Sequence, residues 1–220
     1  MTPTVLAAFI EACRDAAATI PSRVTRSGRP ADGPAESQLE EALFDGLSAR
    51  GVPRNLIGAR RLVVRHDWGP VPDGIDFYAW ERADAELALT AELKFDDVEQ
   101  RMWDLFKLLA ARKLPGRPDA VMVHGGSWKR DKPCAELFPS EPGQVVTIDT
   151  LALVRRNREQ WTRDLRYRGR VLVAPRMVRC ISHLAGVRLE AYPTYELRVV
   201  TVAPAGEEVV QFSEGWPQSY

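Results

Sequence analysis

Asp76, Glu92 and Lys94 are the residues of this chain whose types and spacing could do chemistry: two carboxylates and an amine that a pair of neighbouring strands would bring together. In Leu87–Phe95 the odd positions are all apolar, while the even ones are Ala88, Thr90, Glu92 and Lys94. That period of two marks a strand with one buried face, and it points Glu92 and Lys94 the same way. Ile75 to Trp80 alternates too, with Ile75, Phe77 and Ala79 on one side and Asp76, Tyr78 and Trp80 on the other. The polar run from Glu81 to Glu86 suits a hairpin turn between them. Matching the apolar faces pairs Ile75 with Leu93, Phe77 with Ala91 and Ala79 with Leu89, because a one-residue slip would bury the wrong set. The same register sets Asp76 opposite Glu92 and Gly74 opposite Lys94. Like charges so placed cost roughly 0.2–1 kcal/mol at exposed sites, and more where water is excluded. A divalent cation with oxygen ligands is the usual compensation, and Mg²⁺ is typically held by one or two carboxylates plus substrate phosphate oxygens. An acid two places before a lysine arises by chance about once in a chain of this size. The reading therefore rests on strand context, face parity and the opposing aspartate together; its competitor is a solvated hairpin face.

The flanking segments supply the elements that must hold these groups. Upstream, Leu39, Leu43 and Leu47 form a helical stripe with Gly51 as a natural stop, and Glu36 and Glu40 lie one turn apart on it. Arg61 to Arg65 predicts a first strand through Leu62, Val63 and Val64. Downstream, Val98 to Lys113 predicts an amphipathic helix that buries Val98, Met102, Leu105, Phe106 and Leu109. Asp119 to His124 is a short apolar strand. The order is helix, three strands, helix, strand, with acids on the first helix, the second strand and the third.

In that order, with Glu36 on the helix, Asp76 on the second strand and Glu92-Leu93-Lys94 on the third, residues 34–124 resemble the PD-(D/E)XK nuclease superfamily. Pro72-Asp73 spells the first pair of the family's name, but the apolar pairing puts Asp76, not Asp73, across from Glu92. The resemblance implies an α/β fold: an αβββαβ restriction-endonuclease-like core, its mixed central sheet flanked by helices. It implies phosphodiester hydrolysis, with DNA as the expected substrate and Mg²⁺ or Mn²⁺ as cofactor. Asp76, Glu92 and the Leu93 carbonyl would hold the metal, and Lys94 would orient or deprotonate the attacking water. Glu36 would complete the shell directly or through water, with Glu40 competing for that role. In the family such positions as Gln100, Asp104 and Lys107 sometimes face the site; against that stands the favoured expectation of a solvated stripe with a local Asp104–Lys107 pair. Some recombination nucleases of this fold carry a tyrosine four residues after a glutamine; here Asp104 follows Gln100, which argues against that subgroup.

At 220 residues and 45% hydrophobic, the chain can bury a sizeable core and exceeds what such a nuclease core needs. Residues 1–33 read as an N-terminal helix, Thr4 to Thr19, and a linker; 34–124 as the core; 125–220 as an α+β extension packed on it in one compact domain. A helix near Thr150 to Leu165 and strands around Val187–Tyr192, Tyr195–Val202 and Glu208–Phe212 are expected there, either extending the sheet or forming a separate layer. No apolar run approaches the roughly 20 residues of a bilayer span, and no leader pattern opens the chain. A cytoplasmic protein without a membrane partner is the expectation. Cys13, Cys134 and Cys180 suit free thiols in a reducing compartment. His66, His124 and His183 are too scattered for a zinc site, though His124 ends a strand beside the candidate acids.

Formal charge is zero, yet residues 1–110 hold 13 basic and 18 acidic side chains against 17 and 12 in 111–220. Nine arginines face two acids between Leu151 and Cys180. Arg155, Arg156 and Arg163 there, with Lys129 and Arg130 beside Trp128, are candidates for tracking a phosphate backbone. Their bland competitor is a solvated helix face. A homodimer is compatible with all of this. The alternative function is a catalytically inactive nuclease-like fold that serves as a nucleic-acid or protein binding and regulatory module. An unrelated α/β domain whose hairpin charges are ordinary surface is the third reading.

Overall fold

A computed structural model describes residues 4–25, 31, 33–60, 62–66, 69–83, 85–95, 101–126, 135–159, 162 and 172–212. Helix α1 spans Val5–Thr19 and is started by Thr4, whose hydroxyl accepts the Ala7 N–H at 3.2 Å. Helix α2 spans Glu36–Ala49 and buries Leu39, Leu43 and Leu47 completely. It ends as its sequence requires: Gly51 takes a φ of 85°, its N–H reaches the Ser48 carbonyl at 3.1 Å, and Val52 N–H reaches Leu47 at 3.1 Å. That doubled closure is a Schellman motif, and glycine enters it without steric cost.

The strands are β1 (Ile57–Gly58), β2 (Leu62–His66), β3 (Gly69–Ile75), β4 (Phe77–Trp80) and β5 (Leu87–Phe95). Helix α3 (Arg101–Ala111) leads to β6 (Asp119–Gly126), then β7 (Val145–Asp149) and α4 (Thr150–Arg156). Strands β8 (Leu172–Pro175), β9 (Met177–Leu189), β10 (Tyr192–Pro204) and β11 (Val209–Phe212) complete the described elements. Seven strands form one mixed sheet in the order β1-β4-β5-β6-β10-β9-β7. Only β5 and β6 run parallel within it, joined through α3. Helices α1 and α2 pack with Leu89, Ala91, Leu93, Val121 and Val123 on one face. Helices α3 and α4 pack with Ala120, Met122, Val200 and Val202 on the other.

The β4–β5 register sets Phe77 opposite Ala91 and Ala79 opposite Leu89, as the apolar faces demand. Three local expectations are corrected. The run from Ile75 to Trp80 is not one strand: Asp76 is a bend, and Ile75 belongs to β3, where it pairs with Leu62 rather than Leu93. Strand β2 consequently leaves the main sheet; it pairs with β3 in a separate ribbon, and β1 takes the place beside β4. Ile75 holds the ribbon down by packing with Leu62, Ala111 and Leu114 at the end of α3. Asp73, expected ahead of the strand, lies within β3. Second, β5 is buried on both faces, with Thr90 at 0% and Glu92 at 1% exposure. A parallel partner requires a crossover, and that crossover helix covers the face an isolated hairpin would leave wet.

Of the two arrangements left open for the extension, both occur: β10 pairs with β6, with Val199 opposite Val123, and β9 comes next, while β11 pairs with β8 in a separate ribbon. Third, the run 187–192, expected to be one strand, straddles the turn between β9 and β10, with Leu189 and Tyr192 paired across it. Helix α4 stops at Arg156 because Asn157 turns back on Leu153, its side-chain amide donating to that carbonyl at 2.8 Å. Most of the stretch predicted to continue the helix to Leu165 lies outside the described residues. Among the described residues, no helix is long and apolar enough to cross a membrane.

Candidate active site

The bend at Asp76 creates the site. The β4–β5 ladder starts at Phe77 and Ala91, so the next N–H along β5, that of Leu93, has no backbone partner on β4. Asp76 supplies one: its Oδ2 accepts the Leu93 N–H at 3.0 Å, which fixes the carboxylate against the strand. Lys94 comes directly after, with Nζ 3.5 Å from Asp76 Oδ2 and 3.5 Å from Glu36 Oε1. Glu36 opens α2, where a negative side chain suits the helix N-terminus. The leucine stripe sets the rotation that separates the two helix acids, since Glu40 pairs with Arg60 Nε at 3.4 Å instead.

Glu92 is almost wholly buried, and its Oε2 lies 2.6 Å from Lys107 Nζ. Lys107 also lies 3.9 Å from Asp104 Oδ1 and donates to the Gly74 carbonyl at 3.5 Å. Glu36, Asp76 and Lys94 thus form one cluster and Glu92, Asp104 and Lys107 another, near enough for the charges of each to act on the other. The solvated stripe expected on α3 is overturned: Asp104 is 3% exposed and the Lys107 side chain 13%. Their three-residue spacing, which gave the expected local pair, also turns both toward β5, because almost every described position of α3 is buried. The sequence signal was there in an acid and a lysine interleaved with an apolar stripe, but a wet stripe reads identically until the covering layer is known. Gln100 lies outside the described residues.

Electrostatics here are those of crowding. Burial pushes the Glu92 carboxyl well above the usual range; Asp104 and Asp76 push it further, and Lys107 opposes them. Burial likewise raises Asp104 to about 6 against the pull of Lys94 and Lys107. For Lys94, burial alone would favour losing the proton, but Asp104, Asp76, Glu36 and Glu92 outweigh it and hold the ammonium charged. The same contest, with Glu92 as the main neighbour, ends the same way at Lys107. Four carboxyls around two ammoniums leave an excess of acid in a water-poor place. Glu92 Oε1 and Asp104 Oδ2 are buried with no hydrogen-bond partner among the described residues. A shared proton satisfies such oxygens, and so does a bound cation.

Among the described residues, no three His, Cys, Asp or Glu side chains form a metal-holding group by themselves. By type, the donors present are those a hard ion of the Mg²⁺ kind selects. Asp76, Glu92 and the Leu93 backbone offer oxygen, Glu92 keeps one oxygen unpartnered, and such ions ordinarily complete their shell with water and phosphate. His124, expected to be structural or exposed with bordering the site as the lesser alternative, is buried in β6 in register with Lys94, its ring 5.5 Å from that of Phe138.

Of the nucleic-acid candidates, Lys129, Arg130 and Arg163 lie outside the described residues. Arg155 and Arg156 are exposed at the end of α4, where Arg156 pairs with Glu136 at 2.7 Å. Helix α4 packs on β7, at the sheet edge four strands from β5, roughly 19 Å across at the usual strand spacing. Cys13 and Cys180 are free and buried, and Cys134 lies outside the described residues. Searches against protein-family models, curated proteins and solved structures each found no match to this chain.

Proposed function

We propose that this chain is a metal-dependent nuclease of the PD-(D/E)XK kind, with DNA as substrate. The observation that carries the reading is the cluster of Lys94 with Asp76 and Glu36, each 3.5 Å away at one end of the β4–β5 hairpin, with the buried Glu92 two residues before Lys94 on the same strand. The mixed central sheet supports it: with the inserted β2–β3 ribbon set aside, α2, β1, β4, β5, α3 and β6 follow in an order compatible with an αβββαβ core. Asp76 and Glu92, with the Leu93 carbonyl, would hold Mg²⁺ or Mn²⁺, which when bound supplies charge neutralisation at the phosphoryl group and a more acidic water. The chain's own groups do the rest. Asp76 is kept in place by the Leu93 N–H, so its position does not depend on a ligand. Lys94, held charged by the surrounding acids, acts as a donor that orients water or a phosphate oxygen rather than as a base. Glu36 aims that ammonium from the first turn of α2. Exposed Arg155 and Arg156 supply sequence-independent attraction to a phosphate backbone, which weakens with salt.

The test is cleavage of plasmid and linear DNA by the purified chain in Mg²⁺ or Mn²⁺, with Asp76→Ala and Lys94→Ala alongside. Activity should fall at least about 100-fold in each, as when a charge-stabilising group is removed, while circular dichroism and melting stay cooperative. Cleavage persisting in both variants refutes the reading. A binding module that does not cut is favoured by one observation, the short Lys107–Glu92 pair that already neutralises the most buried acid. DNA binding by the parent chain with no turnover in either metal would select it.

A further inference from the structure

We infer that Lys107 is a built-in counter-cation that competes with the metal for the Glu92 carboxylate. The inference rests on the metal-dependent reading above and concerns a residue that reading does not use. Three oxygens from three elements surround one ammonium: Glu92 Oε2 of β5 at 2.6 Å, the Gly74 carbonyl of β3 at 3.5 Å and Asp104 Oδ1 of α3 at 3.9 Å. Two carboxylates and a backbone carbonyl are the donor types a hard divalent ion selects. Glu92 has 1% of its surface exposed, so a second cation that takes its unpartnered Oε1 shares a single carboxylate with the Lys107 ammonium held on Oε2.

Physical necessity explains why such a lysine is there. A carboxylate as buried as Glu92 is costly without a partner, and losing one member of a buried pair is strongly destabilising. Lys107 lets the cluster stand assembled while no metal is bound. Its affinity for Glu92 is then subtracted from that of the metal. Once released, the ammonium stays tethered to α3 beside the acids, where an anionic phosphate is the natural next partner. Lys94 lies 3.5 Å from Asp76 and from Glu36, so Lys107 is the ammonium that contends for Glu92.

Calorimetric titration of Mn²⁺ into the full metal-free chain at pH 7.5 tests this, comparing the parent with Lys107→Met and Lys107→Arg. The expected result is binding at least about 10-fold tighter in Lys107→Met, with Lys107→Arg within about 3-fold of the parent because it keeps the charge. Binding by the parent with equal or weaker binding by Lys107→Met overturns the inference and leaves the nuclease reading standing. No binding by any of the three removes the metal-dependent reading and the inference with it. Should Lys107→Met fail to fold, the side-chain ammonium resonance of Lys107, identified by its absence in Lys107→Arg, is followed in the parent as Mg²⁺ is added. Loss or shift of that signal at saturation supports displacement, and an unchanged signal with Mg²⁺ bound refutes it.

Discussion

Asp104 shows what a single buried acid costs. Its folded-state carboxyl keeps a proton up to about pH 6, whereas an unfolded aspartate releases it near pH 4. Between those values the folded chain binds more protons than the unfolded one, so stability must fall as pH rises through that window. In EDTA, urea midpoints of the parent chain should therefore drop between pH 4.5 and pH 7, and Asp104→Asn should flatten the decline. An equal drop in the variant would exclude Asp104 as its source. Glu92 and Lys94 are legible in the sequence because strand parity assigns each a side, and Asp76 is singled out by the same pattern although it stands in a bend ahead of β4. Asp104 and Lys107 are not, since a polar pair on a helix face is wet or dry according to what packs over it. The choice between Glu36 and Glu40 depends in the same way on helix rotation, which the packing of Leu39, Leu43 and Leu47 decides.

At the level of elements, local chemistry is most readable where a residue type has one physical use. Gly51 is the clearest instance. A Cβ there would meet nothing within 4 Å, so Gly51→Ala isolates the conformational cost of a φ of 85°. A loss of about 1–2 kcal/mol in chemical denaturation is expected, with Gly51→Asn recovering part of it; an unchanged midpoint would mean that the end of α2 rearranges. The β4–β5 register is equally readable, since its apolar pairs leave one solution. What alternation hides is the break at Asp76. A side chain that replaces a backbone acceptor preserves the apparent period of two while turning the chain, so Ile75 reads as part of the next strand although it packs beneath α3.

For the whole molecule, the late strands are visible as apolar runs but their partner is not, because pairing across so long a stretch of chain leaves no local mark. Their insertion beside β6 makes residues 34–124 dependent on the strands β9 and β10. Ala120, Val121, Met122 and Val123 are all 3% exposed or less and pack with β10 residues, including Val199 and Val200. A fragment of residues 34–126 should therefore show no cooperative melting transition by circular dichroism, whereas the full chain should melt as one unit. A fragment with its own sharp transition would show that the nuclease-like core is self-sufficient.

The same strand order sets a timetable for biosynthesis. Val123 of β6 is opposite Val199 of β10, so the nascent polypeptide carries a complete, sticky strand for the several seconds a ribosome needs to add the intervening residues, at roughly 5–20 per second. Until then, the hydrogen-bonding groups along that side of β6 are open to any extended segment nearby.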